Sequence, residues 1–235
     1  MSPRNLVNAV AVDLDGTIVH FTLDYAAIRR DVLRLIAARG IDPRGYSMRD
    51  RVSFMLDKAT KELVSRGKQD EIAALERDVK EVVNRYEVEN AKTAQLVPGA
   101  RDALAALRRF GLKLGLFTAS GRKAVDLILE AHSLRGLFQA VVTRDDVGLG
   151  LMKPRVDHLL TLINYLSEKP ETTLVVGDSI IDIIPAIQLG ACAIGVEGGI
   201  ASAQELRREG AVDVIPSLSQ LPRWIQENTP SRQTS

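Results

Sequence analysis

Six short apolar runs recur along the chain and predict the strands of one sheet. They are VNAVAVDL (7–14), LKLGLFT (112–118), QAVVT (139–143), TLVVGD (173–178), ACAIGV (191–196) and VDVIP (212–216). Most of these runs are continuously apolar, which is typical of strands buried on both faces of a parallel sheet. From residue 96 onward the runs alternate with amphipathic helical patterns. This alternation predicts an α/β fold with a doubly wound parallel sheet.

The region between Phe21 and Leu96 follows a different pattern and contains no strand candidate. Apolar residues recur there at helical spacing in three stretches, LDYAAIRRDVLRLIAARG, SMRDRVSFMLDKATKELVSRG and KQDEIAALERDVKEVVNRYEVENAKTA. We therefore predict a discontinuous core, residues 1–20 and 96–228, with an inserted all-helical domain, residues 21–95. The last residues, 229–235, are predicted to be a disordered tail.

The amino-acid composition limits which binding partners and which cellular compartment are expected for the protein. Hydrophobic residues make up 46% of the 235 residues, and the formal net charge is +1. That charge offers no electrostatic reason to expect nucleic acid or an anionic membrane as a partner. The only cysteine is Cys192, which favours a reducing compartment. No apolar stretch approaches the ~18 residues of a membrane span, and no signal peptide is predicted. We expect a cytoplasmic protein.

Polar side chains follow several of the predicted strands directly. The strand-end residues are Asp13 and Asp15 after the first run, Thr118 and Ser120 after the second, and Asp178 after the fourth, with Asp182 four residues later. Ligands bind at the carboxyl ends of strands in an open parallel sheet, so these groups are expected to converge on one crevice. Lys153 precedes Pro154, which is predicted to occupy the first position of the next helix.

The pair Asp13 and Asp15 raises a chemical question. Alternate strand residues point to the same side, so the two carboxylates would repel each other, and each resists losing its water. A cation or a reacting phosphate would compensate them. Aspartates are hard oxygen ligands suited to Mg²⁺. Neither a zinc ligand set nor a Gly-x-x-x-x-Gly-Lys phosphate loop is present in the sequence.

Four motifs together resemble those of the haloacid dehalogenase superfamily. In chain order they are DLDGTIV with Asp13 and Asp15, FTAS with Thr118, MKP with Lys153, and GDSIIDIIPA with Asp178 and Asp182. LVPGARDALAAL and FQAVVTRDDV also resemble the phosphoglycolate phosphatase-like branch. The resemblance covers nearly the whole core. It implies a Rossmann-like fold, with the helical insertion as a C1-type cap.

The resemblance also implies catalytic roles for residues of this sequence. Asp13 would be the nucleophile that takes the phosphoryl group as an aspartyl phosphate. Asp15 would protonate the leaving oxygen and later deprotonate the attacking water. Thr118 and Ala119 would bind the phosphoryl group, and Lys153 would stabilise its charge in the transition state.

The same resemblance implies a Mg²⁺ site. The ligands would be a carboxylate oxygen of Asp13, the backbone carbonyl of Asp15, and Asp178. Asp182 would act through water or by orienting Lys153. His20 is a further candidate for substrate contact, because it stands where the phosphatase branch commonly has an Asp-Ser pair.

We therefore expect a Mg²⁺-dependent phosphatase, monomeric or homodimeric, acting on a small phosphorylated metabolite such as a phosphoglycolate-like compound or a sugar phosphate. Three alternatives stay open: a phosphosugar mutase, a phosphonate hydrolase with Lys58 or Lys61 as a Schiff-base lysine, and a non-enzymatic interaction protein. A haloacid dehalogenase would not need Asp15.

Overall fold

The computed structural model describes residues 7–20, 23–148 and 150–229. These residues form two compact units, one of residues 7–20, 93–148 and 150–229 and the other of residues 23–92. Phe21, the first residue of the predicted cap, lies outside the described residues, as does the predicted disordered tail beyond Thr229. The role of the second unit as a cap stays a prediction.

The first unit is built on a six-stranded parallel sheet. Its strands are β1 Ala9–Val12, β2 Lys113–Phe117, β3 Ala140–Val142, β4 Thr173–Gly177, β5 Cys192–Val196 and β6 Asp213–Ile215. They are ordered β3-β2-β1-β4-β5-β6, and every neighbouring pair is parallel. Successive residues of β1 and β4 are all buried, so both faces of the sheet are covered. All six predicted strands form, and the predicted α/β fold is confirmed.

Ten α-helices accompany the sheet in the described part of the chain. They are α1 Tyr25–Ala37, α2 Val52–Ser65, α3 Ile72–Ala91, α4 Ala100–Arg109, α5 Arg122–Ala131, α6 Arg144–Val147, α7 Val156–Tyr165, α8 Ile180–Leu189, α9 Ala203–Arg208 and α10 Leu221–Asn228. Short 3-10 helices span Pro43–Gly45, Gln69–Glu71, Arg135–Leu137, Pro170–Thr172 and Leu218–Gln220. Helices α1 to α3 belong to the second unit, and the others belong to the first.

The second unit consists of its three amphipathic helices packed on one another. Its buried apolar residues include Ile28, Val32, Ile36, Met55, Leu63, Leu75 and Val79. Asp31 of α1 accepts hydrogen bonds from Arg85 (2.7 Å) and Tyr86 (2.9 Å) of α3, which ties these helices together on their polar side. Gly67 (φ 71°) follows the end of α2, where a left-handed backbone favours glycine.

The helix after Lys153 begins later than predicted. Arg155 has extended backbone angles (φ −71°, ψ 143°) and is the N-cap residue, so Val156 is the first helical residue of α7. Pro154 therefore lies before the helix, and its predicted placement at the first helical position is wrong. The Lys153–Pro154 peptide bond is cis.

Two chain segments of the first unit pair beside the end of β1. The amide of His20 donates to the carbonyl of Gln95 (2.9 Å), and the amide of Val97 donates to the carbonyl of Ile18 (2.9 Å). The residues that precede and follow the second unit in sequence are therefore held next to each other. No helix within the described ranges is long and apolar enough to cross a membrane.

Candidate active site

The sheet register brings three polar residues to one edge. Val12 of β1 pairs with Leu116 of β2 on one side and with Val176 of β4 on the other. Asp13, Thr118 and Asp178 are the first residues after these three adjacent strands. Since the strands are parallel, the three side chains lie at the same carboxyl-terminal edge, where α/β folds bind ligands.

The side chain of Lys153 forms hydrogen bonds with two aspartates of the predicted site. Its Nζ donates to Asp13 Oδ1 (2.5 Å) and to Asp182 Oδ1 (2.6 Å). All three side chains are buried. Asp182 is the third residue of α8, and its Oδ2 accepts the amide of Ser179 (3.1 Å). One oxygen of Asp182 therefore caps the helix while the other holds the lysine.

Burial and crowding shift the ionisation of this cluster. Burial raises the pKa of Asp13 well above its usual value, and three other carboxylates raise it further while Lys153 lowers it. Burial, followed by the charge of Asp182, raises the pKa of Asp178 to about 6. Burial opposes the charge of Lys153, but Asp13 and Asp182 together raise the pKa of its ammonium.

The charge balance of the cluster favours a bound cation. The carboxyl groups of Asp13, Asp15, Asp178 and Asp182 outnumber the ammonium of Lys153, and their mutual repulsion would be relieved by a further positive charge. Carboxylate oxygens of Asp13, Asp178 and Asp182 all lie within 4.8 Å of one another. A purely oxygen donor set of this kind suits a hard divalent cation such as Mg²⁺.

Two glycines make room for the carboxylate of Asp178. A Cβ atom on Gly16 would lie 2.4 Å from Asp178 Oδ2, and one on Gly199 would lie 1.9 Å from the same atom. The amide of Ile200 donates to that oxygen (2.8 Å). Backbone therefore packs around Asp178 from the chain after Asp15 and from the chain after β5. This arrangement fits a metal-binding carboxylate held in one orientation.

Asp15 is held by hydroxyl groups after β2. Its Oδ2 accepts from Ser120 Oγ (2.6 Å) and from Thr118 Oγ1 (3.3 Å). The amide of Ser120 in turn donates to Thr118 Oγ1 (3.1 Å). The sequence places Ser120 among the residues expected to converge on the crevice but assigns it no role, and the structure shows its hydroxyl bonded to Asp15. The predicted role of the Asp15 backbone carbonyl as a metal ligand stays a prediction.

Arg144 supports the backbone of the loop after β2. Its Nη1 donates to the carbonyl of Ala119 (3.1 Å), and its amide donates to the carbonyl of Ser120 (3.2 Å). Arg144 is buried, which the polar sequence TRDD does not indicate. The loop predicted to bind a phosphoryl group is therefore fixed from the β3 side of the sheet.

His20 lies in a different environment from the cluster. Its side chain is exposed, whereas the four residues Asp13, Lys153, Asp178 and Asp182 are buried. Its backbone takes part in the pairing with Gln95. The predicted contact of His20 with substrate stays a prediction.

Comparison with known families identifies the class of enzyme. The family model of haloacid dehalogenase-like hydrolases matches residues 7–190, which is more than half of the chain. The chain belongs to the haloacid dehalogenase-like hydrolase family. The predicted resemblance and the expectation of an enzyme are confirmed.

Several proteins similar to this haloacid dehalogenase-like hydrolase are named as phosphatases. A phosphoglycolate phosphatase from Chromobacterium violaceum is 30% identical over 221 residues, which cover 92% of this chain and 96% of the relative. The pyrophosphatase PpaX from Bacillus mycoides is 28% identical over 229 residues, covering 92% and 95%. The crystal structure of a hydrolase from Pseudomonas syringae superposes with a TM-score of 0.66 at 23% identity, covering 94% of this chain and 98% of that one. This last likeness shows the fold alone.

Proposed function

We propose that the chain is a Mg²⁺-dependent phosphatase that hydrolyses a small phosphorylated metabolite through an aspartyl phosphate on Asp13. The observation that carries this proposal is the buried Lys153 ammonium, which bridges Asp13 and Asp182 at the edge where Thr118 and Asp178 also lie. A buried nucleophile beside a fixed cation and a hydroxyl donor suits phosphoryl transfer.

The two half-reactions are assigned to Asp13 and Asp15. An oxygen of Asp13 attacks phosphorus, the bond from phosphorus to the ester oxygen breaks, and Asp15 gives that oxygen its proton. Water then attacks the phosphorus of the aspartyl phosphate, and Asp15 takes a proton from this water. The second attack releases inorganic phosphate and restores the carboxylate of Asp13.

The remaining residues stabilise charge on the transferring group. Lys153 and the hydroxyl of Thr118 would donate to its oxygens, where negative charge is spread in the transition state. Asp182 is assigned to hold Lys153 in place. Asp13 and Asp178, with Asp182 nearby, would hold Mg²⁺, which when bound offsets the charge of the phosphate and of the carboxylates.

The alternatives receive different support from the structure. A phosphonate hydrolase would need a desolvated lysine, but Lys58 donates to the carbonyl of Gly45 (2.5 Å) and Lys61 forms an exposed ion pair with Asp57 (2.7 Å). Neither lysine is buried. A phosphosugar mutase would use the same cluster, so its distinction from a phosphatase lies in the products.

The test is a substrate panel with purified protein and Mg²⁺. Phosphoglycolate, hexose phosphates, pyrophosphate and p-nitrophenyl phosphate are each assayed for phosphate release, and the organic products are analysed for isomerised sugar phosphates. Asp13→Asn is the inactive variant, and Asp126→Asn, on the partly exposed surface of α5, is the matched control. Phosphate release that is lost only in Asp13→Asn supports the proposal. Isomerisation without release supports a mutase, and equal activity of the two variants contradicts the assigned nucleophile.

A further inference from the structure

His158 is a buried titratable residue that the proposed reaction does not use. Its side chain is 0% exposed, and it is the third residue of α7, five positions after Lys153. A histidine at this place has no packing advantage over an aliphatic residue, because burying its polar ring requires partners for both nitrogens.

Both ring nitrogens of His158 have a backbone partner. Nδ1 lies 3.3 Å from the amide nitrogen of Lys153, and Nε2 lies 3.3 Å from the carbonyl oxygen of Val142. A carbonyl only accepts and an amide N–H only donates, so Nε2 carries the proton and Nδ1 is the acceptor. The neutral imidazole therefore links the backbone of Lys153 to strand β3.

The ring of Phe117 lies against both residues. It meets the His158 ring edge to face, with centroids 6.0 Å apart and an angle of 80° between planes. The ammonium of Lys153 lies 4.3 Å from the centroid of the same phenyl ring, within the range of a cation–π interaction. Lys153 is thus held at its backbone by His158 and at its charged end by Asp13, Asp182 and Phe117.

The charges that face His158 keep it neutral. Burial, followed by the charge of the Lys153 ammonium, lowers its pKa to about 4, although the hydrogen bond to Val142 and the charge of Asp146 act in the opposite direction. A protonated ring would place a second cation beside Lys153 and would lose its acceptor nitrogen. The first turn of a helix also disfavours a cation.

We propose that His158 is a positioning residue for Lys153. Its Nδ1 accepts a hydrogen bond from the backbone amide of Lys153 and so fixes the position of the Lys153 backbone. That position in turn determines where the Lys153 ammonium lies relative to Asp13. The proposal rests on the proposed function, in which Lys153 stabilises the transferring phosphoryl group. A displacement of about 1 Å at such a group costs about 10²-fold in rate.

A matched pair of substitutions separates positioning from packing. In His158→Asn the amide oxygen takes the place of the Nδ1 acceptor, and in His158→Gln the amide nitrogen takes the place of the Nε2 donor. Both variants lose one backbone contact. We expect kcat for phosphate release to fall about ten- to hundred-fold in His158→Gln and to fall less than about threefold in His158→Asn. His132→Gln, which alters a contact with the carbonyl of Ala94, is the control.

Two measurements need no turnover. The ¹⁵N chemical shifts of the His158 ring are expected to show the Nε2–H tautomer. The affinity for inorganic phosphate with Mg²⁺, measured by calorimetry, is expected to fall about tenfold or more in His158→Gln but not in His158→Asn. If wild-type protein binds phosphate but hydrolyses no ester, the proposed phosphatase activity is refuted. The comparison of phosphate affinity between the two His158 variants still tests the role of His158. The Nδ1–H tautomer, or equal kcat and phosphate affinity in the two His158 variants, overturns the role of His158.

Discussion

The buried imidazole of His158 makes a specific prediction about stability and pH. The perturbation is the removal of the titrating group in His158→Gln or His158→Asn. The pKa of His158 is lowered from its ordinary value of 6.5 to about 4 in the folded protein, first because burial disfavours the imidazolium and then because Lys153 repels it. Between these two values the unfolded chain binds more protons at this site than the folded chain does.

The sign and size of the effect follow from this difference. The contribution of neutral His158 to the free energy of unfolding is complete above pH 6.5 and is lost as the pH falls toward 4. At pH 5, protonation of His158 in the unfolded chain lowers the free energy of unfolding of wild type by about 2 kcal/mol. Well below pH 4 this loss approaches about 3 kcal/mol. Both His158 variants lack this titrating group. We therefore expect the difference in free energy of unfolding between wild type and each variant to be about 2 kcal/mol smaller at pH 5 than at pH 8.

The assay is urea unfolding of wild type, both His158 variants and His132→Gln at pH 8, 6.5 and 5, with EDTA present. Trp224 is the single tryptophan and reports unfolding by fluorescence. Only the difference between wild type and each His158 variant is interpreted, because the carboxylates that also titrate are common to all the proteins. A difference that stays constant within about 0.5 kcal/mol from pH 8 to pH 5, or that grows as the pH falls, would refute a buried neutral His158.

Four further outcomes are expected at the proposed active site. Asp13→Asn should lower kcat by several orders of magnitude, and a smaller loss would remove Asp13 as the nucleophile. Asp15→Asn should accumulate a phosphorylated protein that is 80 Da heavier by mass spectrometry (about one HPO₃ group), because its attack step survives better than hydrolysis. EDTA should abolish phosphate release and Mg²⁺ should restore it; undiminished turnover in the chelator would speak against a metal. Gly199→Ala should weaken Mg²⁺ binding about tenfold or more by calorimetry, because its Cβ displaces Asp178, whereas Gly136→Ala, which meets no atom within 4 Å, should not.

The fold of the first unit was largely predictable from local pattern. Apolar runs predicted all six strands, and most of these runs are continuous because a strand covered on both faces has no solvent-facing side for polar residues. Glycine also accompanies a helix end: α4 ends at Arg109, and Gly111, two positions later, has φ 76°, a backbone angle that other residues rarely adopt. The start of α7 could not be predicted from the sequence, because nothing in the residue type of Arg155 indicates its extended backbone angles.

The sequence by itself also determined which polar residues lie at the carboxyl-terminal edge of the sheet. Asp13, Thr118 and Asp178 directly follow strands, and parallel strands bring their carboxyl ends to one edge whatever the details of packing. What it left open is which atoms meet there. Asp182 was assigned either to a water-mediated metal contact or to the orientation of Lys153, and the structure shows the hydrogen bond to Lys153.

Only the tertiary structure decided the partners of Asp15 and Lys153. Ser120 reaches Asp15 across 105 positions of the chain, and Lys153 reaches Asp13 across 140. His158 on α7 is only five positions from Lys153, yet its second partner, Val142, lies on strand β3. Local sequence encodes the periodicity of burial, whereas the pairing of polar atoms depends on sheet order, register and helix start together. Those are properties of the packed chain, and they determine which donor faces which acceptor once water is excluded.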